Sequence, residues 1–285
     1  MQYQLRRALA ILAVMVIVLL LMPRGVFSQT PAASNASMTT EKIATAPAPV
    51  NTTSAAISDA DAELPSLKDI LDRAQKAVGG EEAWKSVNTR LMKGVYQSED
   101  SSSFVAMEIY QKSPDKTMYK MKMQQDLVMR DICDGKSAWI EDPQGGYHEY
   151  SGAALASRIR RSQFSEQANM ILIAATGKVL GVEKVGTHNA YVVEYSPQVN
   201  ETAKLYFDTE TGLEIHTEDT FMSPEGPYVV KLDLEDYREV DGMKFPFRMK
   251  RTEKGAVINI RLTVVKNNFP IEDELFAKPA TAPKL

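Results

Sequence analysis

From residue 88 to residue 266 the chain is a succession of short runs in which apolar and polar residues alternate, and this constrains the fold more than any other feature. The runs fall near 88–97, 104–113, 116–124, 127–134, 137–142 and 146–150, then near 178–186, 189–196, 201–208, 213–221, 227–237, 243–252 and 257–266. Alternation with period two sends successive side chains to opposite faces of a strand. The links carry turn chemistry, as at Ser113-Pro114-Asp115, Asp134-Gly135, Gly145-Gly146 and Asp241-Gly242. Links this short join antiparallel neighbours, because a parallel crossover needs about a dozen residues. The pattern argues for a mainly β (α+β) architecture rather than a βαβ fold: a strongly curved antiparallel sheet or barrel of about a dozen strands. In "LYFDTETGLEI", residues 205 to 215, Asp208 and Gly212 supply the turn, and Leu205, Phe207, Leu213 and Ile215 are expected to share one sheet face.

Helical spacing brackets the strands. Ser66 is the expected N-cap of a helix with Leu67, Ile70, Leu71, Ala74 and Val78 at helical spacing, ended by Gly79-Gly80. A short helix from Glu81 to Val87 follows, carrying Trp84, and Ser151 to Ala175 predicts one broken or two consecutive helices. A tail from Pro270 to Ala277 is expected to close the domain.

Ahead of the strands, Arg6 and Arg7 precede an apolar run from Ala8 to Met22, then Pro23, Arg24, Gly25 and the small-residue pattern Val26-Phe27-Ser28. That order is a secretory signal peptide over residues 1–28, with Gln29 as the expected first mature residue and the periplasm as destination. The run is shorter than the roughly 20 residues that span a bilayer; an inner-membrane anchor through residues 8–22 is the alternative. Residues 29–64 are Ala, Thr, Ser, Pro and Asn with few large apolar side chains, the composition of a disordered linker. Residues 65–280 then form the folded domain, and 281–285 a C-terminal tail.

The chain has 33 basic and 37 acidic residues, net charge −4; without Arg6, Arg7 and Arg24 it has 30 against 37, net −7. Such a domain has no electrostatic reason to bind nucleic acid. The local exception is Arg158, Arg160 and Arg161, which reads as a solvated helix face, with an anionic lipid headgroup as the alternative partner. Cys133 is the lone cysteine, so no disulfide framework or thiolate metal site is expected, and it reads as a small buried side chain.

Catalysis is not expected. His148, His188 and His216 stand apart, with none of the spacing of a metal-ligand array, and no Gly-x-Ser-x-Gly elbow or phosphate loop occurs. The acidic string Asp233, Glu235, Asp236, Glu239 and Asp241 reads as a strand's polar face and a turn. No cofactor or metal is implied.

The apolar faces carry the remaining information. Met107 and Ile109 share a face, as do Tyr119, Met121 and Met123, opposite Met118, Lys120 and Lys122. Trp139, Val230 with Leu232, and Ile260 lie on similar faces, and the 14 methionines suit a pocket that accepts a mobile chain. Alternation marks a buried face without saying whether the space beneath it is open or filled.

Taken in order, "LKDILDRAQKAVGGEEAWKSV", "VAMEIYQKSPDK", "DGKSAWIED", "LYFDTETGLEI" and "EDYREVDGMKFPFRM" resemble the LolA-like, outer-membrane lipoprotein-sorting type of periplasmic protein over residues 65 to 280. The resemblance implies an unclosed β-barrel covered by helices, whose apolar concavity receives acyl chains. Members carry lipoproteins, receive them at the outer membrane, or sense and bind lipids and envelope proteins. On that footing the expected partner is a lipid or the acyl chain of a lipoprotein, with transient membrane-surface or envelope-protein contact, and the protein is expected to be a monomer. Met107, Ile109, Tyr119, Met121, Met123, Trp139, Val230, Leu232 and Ile260 are the expected lining. A non-enzymatic envelope sensor or interaction module with a filled barrel core is the alternative.

Overall fold

The computed structural model describes residues 64–123, 128–141, 147–164, 173–197, 202–223 and 226–278. The expected leader and nearly all of the expected linker lie outside the described residues, as does much of the expected second mid-chain helix.

Helix α1, Leu67–Ala77, is capped where the sequence placed the cap: the Ser66 hydroxyl accepts from the Asp69 backbone N–H at 3.2 Å, and Ile70, Leu71 and Ala74 are buried on one side. Gly79 ends it with φ +116°, and a Cβ at that position would stand 2.3 Å from the Gly242 carbonyl oxygen, so only glycine fits. The short helix α2, Gly80–Lys85, follows at once. Val78 fastens both to the sheet, its carbonyl accepting from the Lys244 backbone N–H at 3.1 Å and from Trp84 Nε1 at 3.2 Å.

Thirteen strands then form one antiparallel sheet. The first six are β1 Thr89–Ser98, β2 Val105–Lys112, β3 Lys116–Lys122, β4 Val128–Cys133, β5 Ala138–Glu141 and β6 Tyr147–Glu149. Helix α3, Gly152–Ser162, separates them from β7 Lys178–Val185, β8 His188–Tyr195, β9 Thr202–Asp208, β10 Glu214–Ser223, β11 Gly226–Val240, β12 Met243–Glu253 and β13 Ala256–Asn267. Each group is a meander, and one long-range pairing, β1 with β13, joins them. Strands β6 and β7 are therefore the two ends of the sheet, which does not close into a barrel.

Cross-strand register assigns the faces. The Met249–Ile260, Arg251–Ile258, Leu232–Arg251, Thr217–Leu232 and Leu205–Thr217 pairs trace one face from β13 to β9. The Tyr96–Ile260, Met107–Met121 and Tyr119–Asp131 pairs continue it from β13 to β4. Helices α1, α2 and α3 cover this inner face. Helix α1 rests on Val193, Leu205 and Phe207, Trp84 of α2 packs on Phe245 with ring centroids 5.6 Å apart, and α3 reaches Asp131.

The outer face is largely ionic near β1–β5. Lys93 and Lys120 hold Glu108 at 2.7 and 3.1 Å, and Arg130 holds Glu141 at 2.7 Å. Burial opposes ionisation of Glu108, but these two lysines and the Tyr110 hydroxyl hold its pKa down to about 2. At the Asp208–Gly212 turn, the Asp208 carboxylate accepts from the backbone N–H groups of Glu210 and Thr211 at 2.9 and 2.6 Å. The expected face-sharing there needs a correction. The register slips between Glu214 and His216, so Ile215 leaves the face of Leu205 and Phe207 and packs outside with Ala190, Val192 and Tyr206.

Candidate functional site: an apolar cavity with one charged end

On the inner face of β1–β4, β12 and β13 lies a cavity of ≈ 290 Å³. Alternation builds its wall. Gly94 faces Met107, which faces Met121, while Met92 faces Ile109, which faces Tyr119. Strands β12 and β13 add Phe245, Pro246, Met249, Ile260 and Leu262. The close approach of β1 to β13 depends on Gly94, where a Cβ would come within 2.3 Å of the Arg261 carbonyl oxygen.

Tyr96 closes the end nearest Met249 and Ile260. It is 2% exposed, its hydroxyl has no hydrogen-bond partner among the described residues, and burial pushes its pKa up to about 12.

The opposite end is polar. Asp131 and Arg158 are 0% and 1% exposed, and Arg158 Nε donates to Asp131 Oδ1 at 2.7 Å. The Tyr150 hydroxyl donates to the other carboxylate oxygen at 2.9 Å, and Arg158 Nη2 donates to Thr117 Oγ1 at 2.8 Å. The Ser162 hydroxyl accepts from Arg158 Nη1 and donates to the Arg158 carbonyl at 2.9 Å. The guanidinium lies 5.2 Å from the centre of the Tyr119 ring. Burial would make Arg158 less basic, but Asp131 overcomes it and the net shift is upward. Arg161, one turn further along α3, also lines the cavity; burial and then the like charge of Arg158 lower its pKa. The arginine trio is thus not a uniformly solvated face, because Arg158 is an internal strut and Arg161 a wall of the cavity.

Five of the nine expected lining residues meet here: Met107, Ile109, Tyr119, Met121 and Ile260. Met123 packs behind the wall against the cluster of Tyr96, Val105, Met121 and Met129. Val230 and Leu232 share the inner face, opposite Glu253 and Arg251, but sit further along β11 than the cavity reaches. Trp139 is on the other side of the sheet. It pairs with Ile132 and is buried with Met118, Ile271 and Phe276 under the C-terminal segment, whose one helical turn is Asp273–Phe276. The expected closing tail therefore seals the outer face.

The sequence reading missed Asp131, although it carried a signal. Asp131 sits between Met129 and Cys133 at the buried parity of β4, and a charge in that phase calls for a partner. Among the described residues no group of three or more His, Cys, Asp or Glu side chains is placed to hold a metal ion. His188 is occupied by Asp208 at 2.7 Å and His216 by Asp233 at 2.6 Å, the latter on the outer face.

No protein-family model matches this sequence. No curated protein matches it either. Solved structures do. A LolA superfamily protein from Nitrosomonas europaea is 13% identical with a TM-score of 0.51, the match covering 75% of this chain and 99% of that one. A DUF1329 family protein from Desulfovibrio piger is 13% identical with a TM-score of 0.55, covering 75% of this chain and 98% of that one. A domain named for outer membrane lipoprotein sorting, from Vibrio parahaemolyticus, is 13% identical with a TM-score of 0.53, covering 73% and 94%. At this identity the likeness is one of fold.

Proposed function

We propose that this chain, which has the LolA-like fold, holds an acyl chain or another apolar ligand inside its unclosed barrel and carries it in the periplasm, in the sorting of lipids or lipoproteins toward the outer membrane. The observation that carries the reading is the ≈ 290 Å³ cavity walled by Met107, Ile109, Met121, Met249 and Ile260. The fold shared with a domain named for lipoprotein sorting supports the finer role, and the signal-peptide pattern at residues 1–28 supports the compartment.

The chemistry fits reversible capture. A methylene needs about the room of one water, ~30 Å³, so the cavity takes on the order of ten. At about 0.8 kcal/mol for each methylene buried, ten give about 8 kcal/mol before the costs of association. The site's carboxylate and one of its guanidinium groups are tied to each other, and that guanidinium to Thr117 of β3, which suits binding rather than catalysis. Native mass spectrometry of the purified protein, with extraction of co-purifying lipid, tests the reading. Discrete mass adducts that organic solvent removes are expected. A protein that runs at its bare mass and gains no mass with long-chain ligands would contradict it.

A further inference from the structure

One polar group in the cavity wall stands without a partner. Tyr96 lines the cavity and is 2% exposed, yet its hydroxyl neither donates nor accepts a hydrogen bond among the described residues. Leaving a buried hydroxyl unpaired costs stability, and a wall that needed only bulk there would be served by phenylalanine. Burial alone acts on its pKa, which rises to about 12, so at neutral pH the phenol keeps its proton and is a donor.

The surroundings define the acceptor. Across the sheet Tyr96 stands in the row Val105–Tyr96–Ile260–Met249, which holds no cation. A charged oxygen placed there would be a buried, unpaired anion, whereas a neutral carbonyl oxygen accepts the bond without that cost. A trapped water fits poorly, since a buried water takes about three partners and the hydroxyl supplies one. The hydroxyl oxygen is closed over by its neighbours, and those neighbours are adaptable. Met121 and Met129 share its cluster, and Met107, Met123 and Met249 pack against it. Thioether side chains turn aside readily, so an entering ligand reaches the hydroxyl by displacing a methionine rather than the sheet.

Resting on the binding function proposed above, we propose that the ligand is a neutral acyl ester or amide, its carbonyl oxygen accepting from the Tyr96 hydroxyl and its hydrocarbon lying along Met107 and Met121. Tyr96 is then the residue that tells an acyl group from a bare hydrocarbon. On β1 the cavity runs from Tyr96 to Met92, four residues or about 13 Å, the length of an extended chain of about ten carbons.

Isothermal titration of the delipidated mature protein and of Tyr96→Phe with methyl decanoate, N-methyldecanamide and decyl chloride, each below its solubility limit, provides the test. The chloride has a similar length and no carbonyl. Tyr96→Phe is expected to weaken binding of the ester or the amide at least about fivefold and of the chloride less than about twofold. Whichever carbonyl ligand loses more identifies the linkage. Ligand-free Tyr96→Phe is expected to unfold at a urea midpoint equal to or above that of wild type, because it loses no bond. In infrared spectra of the bound ligand with an isotope-labelled carbonyl, the stretch is expected to lie lower in wild type than in hexane and to rise in Tyr96→Phe. Carbonyl ligands that lose no more than the chloride would overturn this inference and leave the carrier function standing. A stretch in wild type that matches hexane, or a ligand-free Tyr96→Phe less stable than wild type, would do the same. Failure of wild type to bind any of the three would overturn both.

Discussion

Replacing Arg158 by Met removes one side of an ion pair whose members are 1% and 0% exposed. The Asp131 carboxylate would stay buried with only the Tyr150 hydroxyl among its side-chain partners named above, and the Thr117 and Ser162 hydroxyls would each lose a donor. Stranding a buried charge in this way costs about 3–5 kcal/mol. In a domain of this size each kcal/mol moves the melting temperature by about 2–4 °C, so a fall of about 6–20 °C is expected. The partner deletion sharpens the test. Arg158→Met with Asp131→Leu leaves no unpaired charge, and the double variant is expected to be more stable than Arg158→Met alone by at least about 1.5 kcal/mol. Urea unfolding of wild type, both single variants and the double variant, followed by circular dichroism, gives the four free energies. A folded Arg158→Met within about 1 kcal/mol of wild type, or a double variant as unstable as the two single losses summed, would refute the strut argument.

Two further outcomes follow from the outer face. The Glu108 carboxyl, resisted by burial but held by Lys93, Lys120 and Tyr110, titrates at about 2 against an ordinary 4.5. A depressed carboxyl stabilises fully above its unfolded pKa and loses that contribution as the pH falls through the folded one. Urea midpoints of wild type are therefore expected to drop more steeply between pH 4.5 and 2 than those of Glu108→Gln, and parallel profiles would contradict the assignment. Ending the chain at Pro270 removes Ile271 and Phe276 from Trp139, so its fluorescence is expected to shift to the red in a Trp84→Phe background. An unshifted spectrum from a folded truncation would place Trp139 elsewhere.

The strands were legible because their signals are local. Alternation and turn residues are read within a few positions, and all thirteen observed strands overlap expected ones. The β1–β13 pairing, which turns two meanders into one sheet, joins residues far apart and leaves no local mark. Parity placed Met107, Ile109, Tyr119 and Met121 on the cavity side, opposite Met118 and Lys120. It failed at Trp139, because apolarity was taken as the mark of the inner face. At that point the inner side carries the Arg158–Asp131 pair, while the outer side is covered by a segment more than a hundred residues downstream. Arg158 was misread for a related reason: charge suggests solvent, and its partner on β4 lies 27 residues away. Ile215 was lost to a bulge, which reverses parity without changing composition.

The central claim is an open apolar cavity on the face that carries Met121, and titration of a fluorescent fatty-acyl probe into three proteins tests it most directly. Met121 is 3% exposed in the cavity wall, and Lys120 is on the ionic outer face beside Glu108. Saturable binding to wild type is expected. Met121→Asp puts a carboxylate against the chain at a cost of several kcal/mol, about 2 or more, and should weaken binding at least about thirtyfold. Lys120→Asp should leave binding within about threefold of wild type. Absence of saturable binding to folded wild type, or tight binding by a folded Met121→Asp together with loss in Lys120→Asp, would contradict the account.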